Sequence, residues 1–587
     1  MKKRIVSIIL AIATLTSLAF GCKAPSDDPN AEFANRPINV KFGFYYAGYG
    51  DAHWYAMARD FMENYDEDIY WEMVDHDDSA NMRQHVLAGT DGVDIIQLSV
   101  DMFRRTQYIE ELSEVYNSAP LGETTLIKDK GVEYYNYHKE KYKDANGEEK
   151  EGYFQLPASR NGGYNFAYNK TTLDEIFGVD GYKLPVTTDE FFKFGNDVQE
   201  NGGEDGAYLT SIAMADKGGG DYFEYIYQAW FAQLMGKEKY DMFYEGYYAD
   251  GVDENANVKY TFNDIYYEGN TAKTDLKIHK VYENEIKDAY NVIRTLFTKS
   301  NKYIHPSSPD LDYLGNDKVF AGAGDGLNFE KTAFLAIGSY LETELAPLIE
   351  DGVVEDNEYG MMRVPVASAL VKQLEFIDET NVDGTYPGKM KDQTLAAIIR
   401  AIDEGATYEN IKTKVSGIDS LTVKDFNRIV EARKISVSNI CSNIVVPKIE
   451  AKDEGKREAI YKILRYLASD RAQEVCTNAL GGLGMLAFGK MPTGDKVTVT
   501  PTKFIKDCND IADDSVTIDW AHKNKIFREH VTVKWYISEV TGRLGSVIYE
   551  SENPQTADKM FESLLANQSG TWATNVEAYK KAMGINN

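Results

Sequence analysis

From Ile38 to Leu98 the apolar residues follow two different periods in turn, and that alternation leaves few folds open. Ile38, Val40, Phe42 and Phe44 alternate as a strand does, and Gly48–Asp51 breaks the pattern. Trp54, Met57, Ala58, Phe61, Met62 and Tyr65 then recur at helical spacing, with Asp51 placed to cap the helix. A second strand is expected over about Ile69–Val74 and a helix from Ser79 to Ala88. The run Val93-Asp94-Ile95-Ile96-Gln97-Leu98 is nearly continuous in apolar residues, which suits a strand covered on both faces of a parallel sheet. Strand and helix alternating in this way is the α/β pattern. In such sheets the loops at the carboxyl ends of the strands converge on a ligand crevice, which draws attention to Tyr45-Tyr46, Asp75-His76-Asp77 and Ser99–Asp101.

Before this segment the chain opens Met1-Lys2-Lys3-Arg4, runs apolar from Ile5 to Phe20, and reaches Gly21-Cys22. A basic start, an apolar stretch and a small residue before a break are the parts of a secretory signal. Leu18-Ala19-Phe20-Gly21-Cys22 resembles a bacterial lipobox, although Leu18 stands one place early and Phe20 fills a place usually held by a small residue. The expectation is a signal peptide over 1–21, a lipid on Cys22, and a polar tether over 22–36 that holds the protein outside the cytoplasm. Four Cys in so long a chain exclude a disulfide scaffold, and cleavage takes the formal charge from −30 to −33 and leaves Cys441, Cys476 and Cys508, an odd number that cannot pair completely. So acidic a chain is a poor partner for nucleic acid or anionic lipid. At 587 residues it exceeds what one hydrophobic core supports. Tyrosine is over-represented, at 40 against 26 Phe and 6 Trp, which suits wet surfaces lined by aromatic rings.

Further along, Tyr134–Phe154 reads as a hairpin turning at Asn146-Gly147. Thr187-Thr188-Asp189-Glu190 reads as a capping box. Lys331–Leu341 is apolar enough for either strand or helix, and the stretch 236–280 is Tyr- and Asp-rich without a clear period. Three short helical patterns occupy 369–434.

Four stretches in this order resemble the extracellular solute-binding lipoproteins of sugar-importing ABC transporters, the family that includes maltose-binding protein. They are Asp94-Ile95-Ile96 with Asp101-Met102-Phe103, and Gly152–Pro157 through Tyr168-Asn169-Lys170. Leu184–Glu190 is the third, and Ala333–Tyr340 with Tyr359–Pro365 is the fourth. Tyr340 stands where the family more often has Trp. The resemblance implies an α/β, two-lobed periplasmic-binding-protein (Venus flytrap) fold with hinge strands. It places lobe 1 at 37–157 and 435–485, lobe 2 at 158–368 and 486–587, and a helical insertion at 369–434. It further implies a monomer that captures an extracellular carbohydrate between its lobes and passes it to membrane permease subunits, with no cofactor and no bond broken.

In that frame the candidate ligand-binding residues are Tyr45, Tyr46, Asp101, Arg160, Asn161, Tyr222, Trp230 and Tyr340. Each has a plainer alternative. Asp101 could cap a helix, the tyrosines and Trp230 could be core, and Arg160 and Asn161 could be solvated turn residues. Trp54, within its helical stripe, reads as core. No EF-hand loop, zinc spacing, phosphate-binding glycine loop or Gly-x-Ser-x-Gly motif is found, so no metal or catalytic residue is assigned. The competing readings are a surface glycoside hydrolase or lyase with paired carboxylates, and a peptide-binding or sensor protein of the same fold.

Overall fold

The computed structural model describes residues 28–44, 48–75, 86, 92–97, 108–131, 140–143, 148–160, 163–203, 206–213, 222–240, 267–268, 271–272, 283–322, 330–437, 440–449, 453–518, 548–549, 551 and 553–569. Its strands are, in chain order, Ile38–Phe44 (β1), Ile69–Asp75 (β2), Ile95–Gln97 (β3), Glu140–Lys143 (β4), Glu149–Gly152 (β5), Leu156–Arg160 (β6), Asn165–Asn169 (β7) and Ala207–Ser211 (β8). They continue with Tyr267–Glu268 (β9), Thr271–Ala272 (β10), Lys331–Ile337 (β11), Tyr359–Met362 (β12), Ile435–Val437 (β13), Ile440–Val445 (β14) and Val516–Ile518 (β15).

Nine of these strands form two larger sheets, each over its own core, and β4-β5, β9-β10 and β13-β15 pair separately. The first has the order β2-β1-β3-β14-β6. β1 runs parallel to β2 and β3, while β14 returns antiparallel between β3 and β6. The alternation read from the sequence places Val40, Phe42 and Phe44 inward, and the helix Ala52–Asn64 covers them with Trp54, Met57, Phe61 and Met62. Trp54 is 1% exposed and packs 4.8 Å from Phe42, as its place in the helical stripe predicts. Much of the rest of this core comes from the far end of the chain. Tyr466 lies edge-on to Trp71 and Phe61, and its hydroxyl donates to Asp60 at 2.8 Å. Asp60, itself buried, also accepts from Arg471 Nε at 3.1 Å, which ties the first helix to Asp470–Ala479.

The second sheet has the order β12-β7-β11-β8, with β11 parallel to β8 and β7 antiparallel to both β11 and β12. Phe166, Phe191, Phe194, Trp230 and Phe334 fill its core. Thr187 caps the helix Thr188–Asn201 by accepting from Glu190 N, as the sequence predicts. Glu190 does not complete the box on Thr187. Its Oε2 accepts from Val186 N at 3.0 Å, and both of its oxygens take a bidentate pair from Arg400, at 2.8 and 2.7 Å. The ambiguous 331–341 stretch resolves into β11 and, after Gly338, the helix Leu341–Glu350. β4 and β5 pair as the expected hairpin, with Asn146-Gly147 lying outside the described residues.

The insertion holds three helices, Asp392–Asp403, Tyr408–Lys414 and Val423–Lys434, around a core of its own that includes Leu395, Ile399, Ile411, Leu421 and Ile429. Three local details differ from the expectation. From Asp28 onward the expected tether is docked on the first lobe. Asn30 Nδ2 donates to Tyr55 O, and Arg36 Nη1 donates to the carbonyls of Asp66 and Ile69. Ile435 and Val437 pack in the second core, and β13 pairs with β15, so the return to the first sheet begins at β14. Leu486, Ala487 and Phe488 stay with the first core, beyond the expected limit at 485.

Asp60→Ala strips Tyr466 and Arg471 of their shared buried acceptor. Chemical denaturation is expected to show a loss of about 1–3 kcal/mol.

Candidate functional site

Three connections join the sheets, and they lie against one another. β6 leads to β7 through Gly163-Tyr164, β13 leads to β14, and the third runs from Phe488 to the helix Lys503–Asp513 on the second sheet. Tyr164 N donates to Val437 O at 3.2 Å, and Arg160 N donates to Met485 O at 2.6 Å. Gly163 has φ +74°, and a Cβ on it would lie 2.2 Å from Ser436 Oγ and 2.6 Å from Val437 O. No other residue type fits where the first connection presses on the second. Asn509 closes the third: its Nδ2 donates to Gly482 O and its Oδ1 accepts from Gly484 N, at 2.9 and 3.0 Å.

Above these connections the loop after β1 meets the loop after β11. Tyr49 OH and Ser339 Oγ share a hydrogen bond of 2.8 Å across the seam. Tyr340, 6% exposed, stands edge-on to Tyr49 at 5.5 Å and to Tyr164 at 6.3 Å. Its ring occupies the room left by two glycines. A Cβ on Gly48 would fall 2.7 Å from Tyr340 Cγ, and one on Gly338 would fall 2.5 Å from its Cε1. At the start of the Ala52–Asn64 helix, just beyond Tyr49, His53 is 2% exposed, and neither ring nitrogen has a hydrogen-bond partner. Burial pushes its pKa down to about 3, so the imidazole is neutral and offers one donor and one acceptor. Behind Tyr340, Asp317 on the Tyr313–Ala321 helix is fully buried near Glu344 on the Leu341–Glu350 helix. Burial raises both carboxyls, and for Asp317 the nearness of Glu344 adds to it.

Of the candidate residues, the structure brings Tyr340 and Arg160 to the connections and seam. Arg160, at the end of β6, reaches across the hinge with Nη2 3.5 Å from Asp513 Oδ1. Trp230 is a correction. It is fully buried in the second core, where Nε1 donates to Pro365 O at 3.0 Å, because it lies in the third turn of a helix that is buried on all sides from Ile226 to Met235. Tyr222 begins the helix Tyr222–Met235, and its side chain is outside the described set. Tyr45, Tyr46, Asp101, Asn161 and Cys22 also lie outside the described residues. Sequence reasoning passed over Tyr49, Ser339, Tyr164 and His53. Tyr49 lay in a glycine-flanked break read only as a turn, and the close approach of Gly48 and Gly338 to one ring was the signal available.

Among the described residues no group of three or more His, Cys, Asp or Glu could hold a metal ion. Among them, too, no helix is long and apolar enough to cross a membrane. Cys476 and Cys508 are buried.

Gly163→Ala is expected to lower the thermal midpoint, with a loss of at least about 1–3 kcal/mol from forced backbone strain. Since folding raises the Asp317 and Glu344 carboxyls, their contribution is fully present at acid pH and is lost as pH rises through the raised range. Glu344→Gln is therefore expected to flatten the fall in stability between acid and neutral pH, as read from denaturation midpoints at several pH values.

No protein-family model matches the sequence, and no curated protein matches it. Among solved structures the chain is similar to the GacH receptor of Streptomyces glaucescens, solved unliganded and with acarbose. The identity is 14% and the TM-score 0.46, over 94% of this chain and 99% of that one. It is similar to RafE from Streptococcus pneumoniae at 14% identity and TM-score 0.49, over 91% and 97% of the two chains. It is similar to a chitin oligosaccharide binding protein, also at 14% and 0.49, over 91% and 99%.

Proposed function

We propose that this chain is a carbohydrate receptor. It captures an extracellular glycan, an oligosaccharide in this reading, between its two sheets and hands it to the permease subunits of an ABC importer. It acts as a monomer without chemistry of its own, held at the outer face of a bacterial membrane by a lipid on Cys22.

The observation that carries the reading is the seam, where hydroxyl-bearing aromatics from both sheets meet above three connecting segments. Tyr49, half-buried, offers an aromatic face for sugar C–H groups beside the buried Tyr340 ring, and Tyr49 OH, Ser339 and Arg160 offer hydrogen-bond partners at the same place. A sugar needs many matched donors and acceptors, since each one buried without a partner costs about 1–3 kcal/mol. Tyr45 and Tyr46 follow β1 in sequence, and Asp101 follows β3. A ligand that replaces the Tyr49–Ser339 bond with bonds of its own shifts the lobes only by its differential affinity for one arrangement.

Acarbose and chitin oligosaccharide, bound by the similar proteins, join maltooligosaccharides and short peptides in a thermal-shift panel on the full chain. A glycan is expected to raise the midpoint by mass action, and peptides to leave it unchanged. Tyr340→Ala is expected to weaken that glycan by at least about tenfold, and Asp101→Asn to weaken it with the unliganded midpoint unchanged. Release of shortened products from the glycan, or a shift with peptides alone, overturns the reading.

A further inference from the structure

β1 begins at Ile38, at the end of the first lobe remote from the seam, since its other end leads on to Tyr49. A tether running straight out from β1 would leave the lobe on that remote side. The chain before β1 does the opposite. Arg36 Nη1 donates to the carbonyls of Asp66 and Ile69 at 2.7 and 2.9 Å, where the Ala52–Asn64 helix turns into β2. From there the segment runs back along that helix toward the seam. Phe33 packs against the first core, with Arg36 and Arg59 over its ring at 4.6 and 5.5 Å. Arg59 pairs with Glu32 at 2.7 Å and donates to Pro29 O at 2.8 Å.

One turn nearer the seam, Asn30, 1% exposed, donates to Tyr55 O at 3.0 Å. Asp28 accepts from the Tyr70 hydroxyl and from Asn30 N. Tyr55 lies in the first turn of its helix and stands edge-on to Phe44, the last residue of β1, at 6.4 Å. The docked segment therefore carries the chain from the remote end of the lobe to the end that bears the seam. At about 0.5–1.5 kcal/mol each, its bonds to backbone carbonyls are enough together to hold it down.

What lies before Asp28 is short. Cys22 is six residue steps away, so a lipid on it is at most about 20 Å of chain from the lobe. A flexible chain of that length spans about 13 Å on average. A domain of roughly 170 residues is about 40 Å across, so this link does not let the lobe turn freely over a bilayer. Undocked as far as Ile38, the sixteen steps from Cys22 would reach about 55 Å and orient nothing. We propose that Asp28–Arg36 is an orienting strap, which holds the seam end of the first lobe toward the lipid bilayer before any permease is met. The inference rests on the reading that Cys22 carries the lipid.

Ala52 and Glu67, both exposed, mark the two ends of the lobe. The full chain, expressed with its lipid, is mixed with phosphatidylcholine vesicles carrying energy-transfer acceptors on their headgroups; the neutral lipid keeps charge from orienting the protein. A fluorophore is placed at residue 52 or, in a separate sample, at residue 67. The helix between them separates the two by about 18 Å, and transfer from residue 52 is expected to be at least about twofold higher. Inserting about twelve Gly and Ser residues between Ser26 and Asp27 lengthens the link without touching the strap, and is expected to bring the ratio toward one. Asn30→Ala combined with Arg36→Ala is expected to do the same by releasing the strap, and the insertion decides the matter if that variant fails to fold. Flotation with the vesicles reads the anchor by itself. A chain that floats but gives equal transfer from the two positions, higher transfer from residue 67, or a ratio unchanged by the insertion overturns this inference alone. A chain that does not float overturns the lipid reading and the inference with it.

Discussion

The contact of Gly163 with Ser436 and Val437 is the constraint on which the rest of the structure depends. It lets two chain crossings, separated by most of the second lobe in sequence, lie in van der Waals contact and share the Tyr164–Val437 hydrogen bond. With the crossings fixed there, β6 and β14 are neighbours in the first sheet while β7 and β13 start the second lobe's packing. The place where the sheets meet is thereby set by backbone contacts.

Two kinds of signal made much of this legible in the sequence. Period-2 alternation located β1, and helical spacing located the Trp54 stripe, because both faces of those elements are decided by burial. The capping residue Thr187 was readable because its bond to Glu190 N is local. What escaped was decided at long range. Glu190 belongs to Arg400 of the insertion as much as to its own helix, and no local rule predicts a partner from so distant a segment. Trp230 sits in an aromatic-rich helix whose inner and outer faces the sequence does not distinguish, and packing against Phe166 and Pro365 put it inside. The tether was read as polar chain up to Arg36. Its second half folds onto the first lobe because Arg36 and Asn30 satisfy carbonyls there.

The candidate site was legible in part. Tyr340 was singled out for its resemblance to an aromatic position of a known family, and it does stand at the seam. Its immediate neighbours Tyr49 and Ser339 were not, since a hydrogen bond between two loops leaves no trace in either loop's own pattern. His53 was passed over too. A neutral imidazole with two unpartnered nitrogens in an otherwise apolar helix start lowers stability, and no local pattern in the sequence marks it.

The central claim is that the two sheets move as units about the braided connections and enclose a ligand at the seam. Small-angle X-ray scattering from the full chain, recorded without ligand and then saturated with the tightest-binding glycan of the panel, tests it most directly. The account predicts that the radius of gyration changes on saturation, with each lobe's own scattering features preserved, as rigid lobes re-orient about a hinge. Saturable glycan binding with a superimposable scattering profile contradicts it.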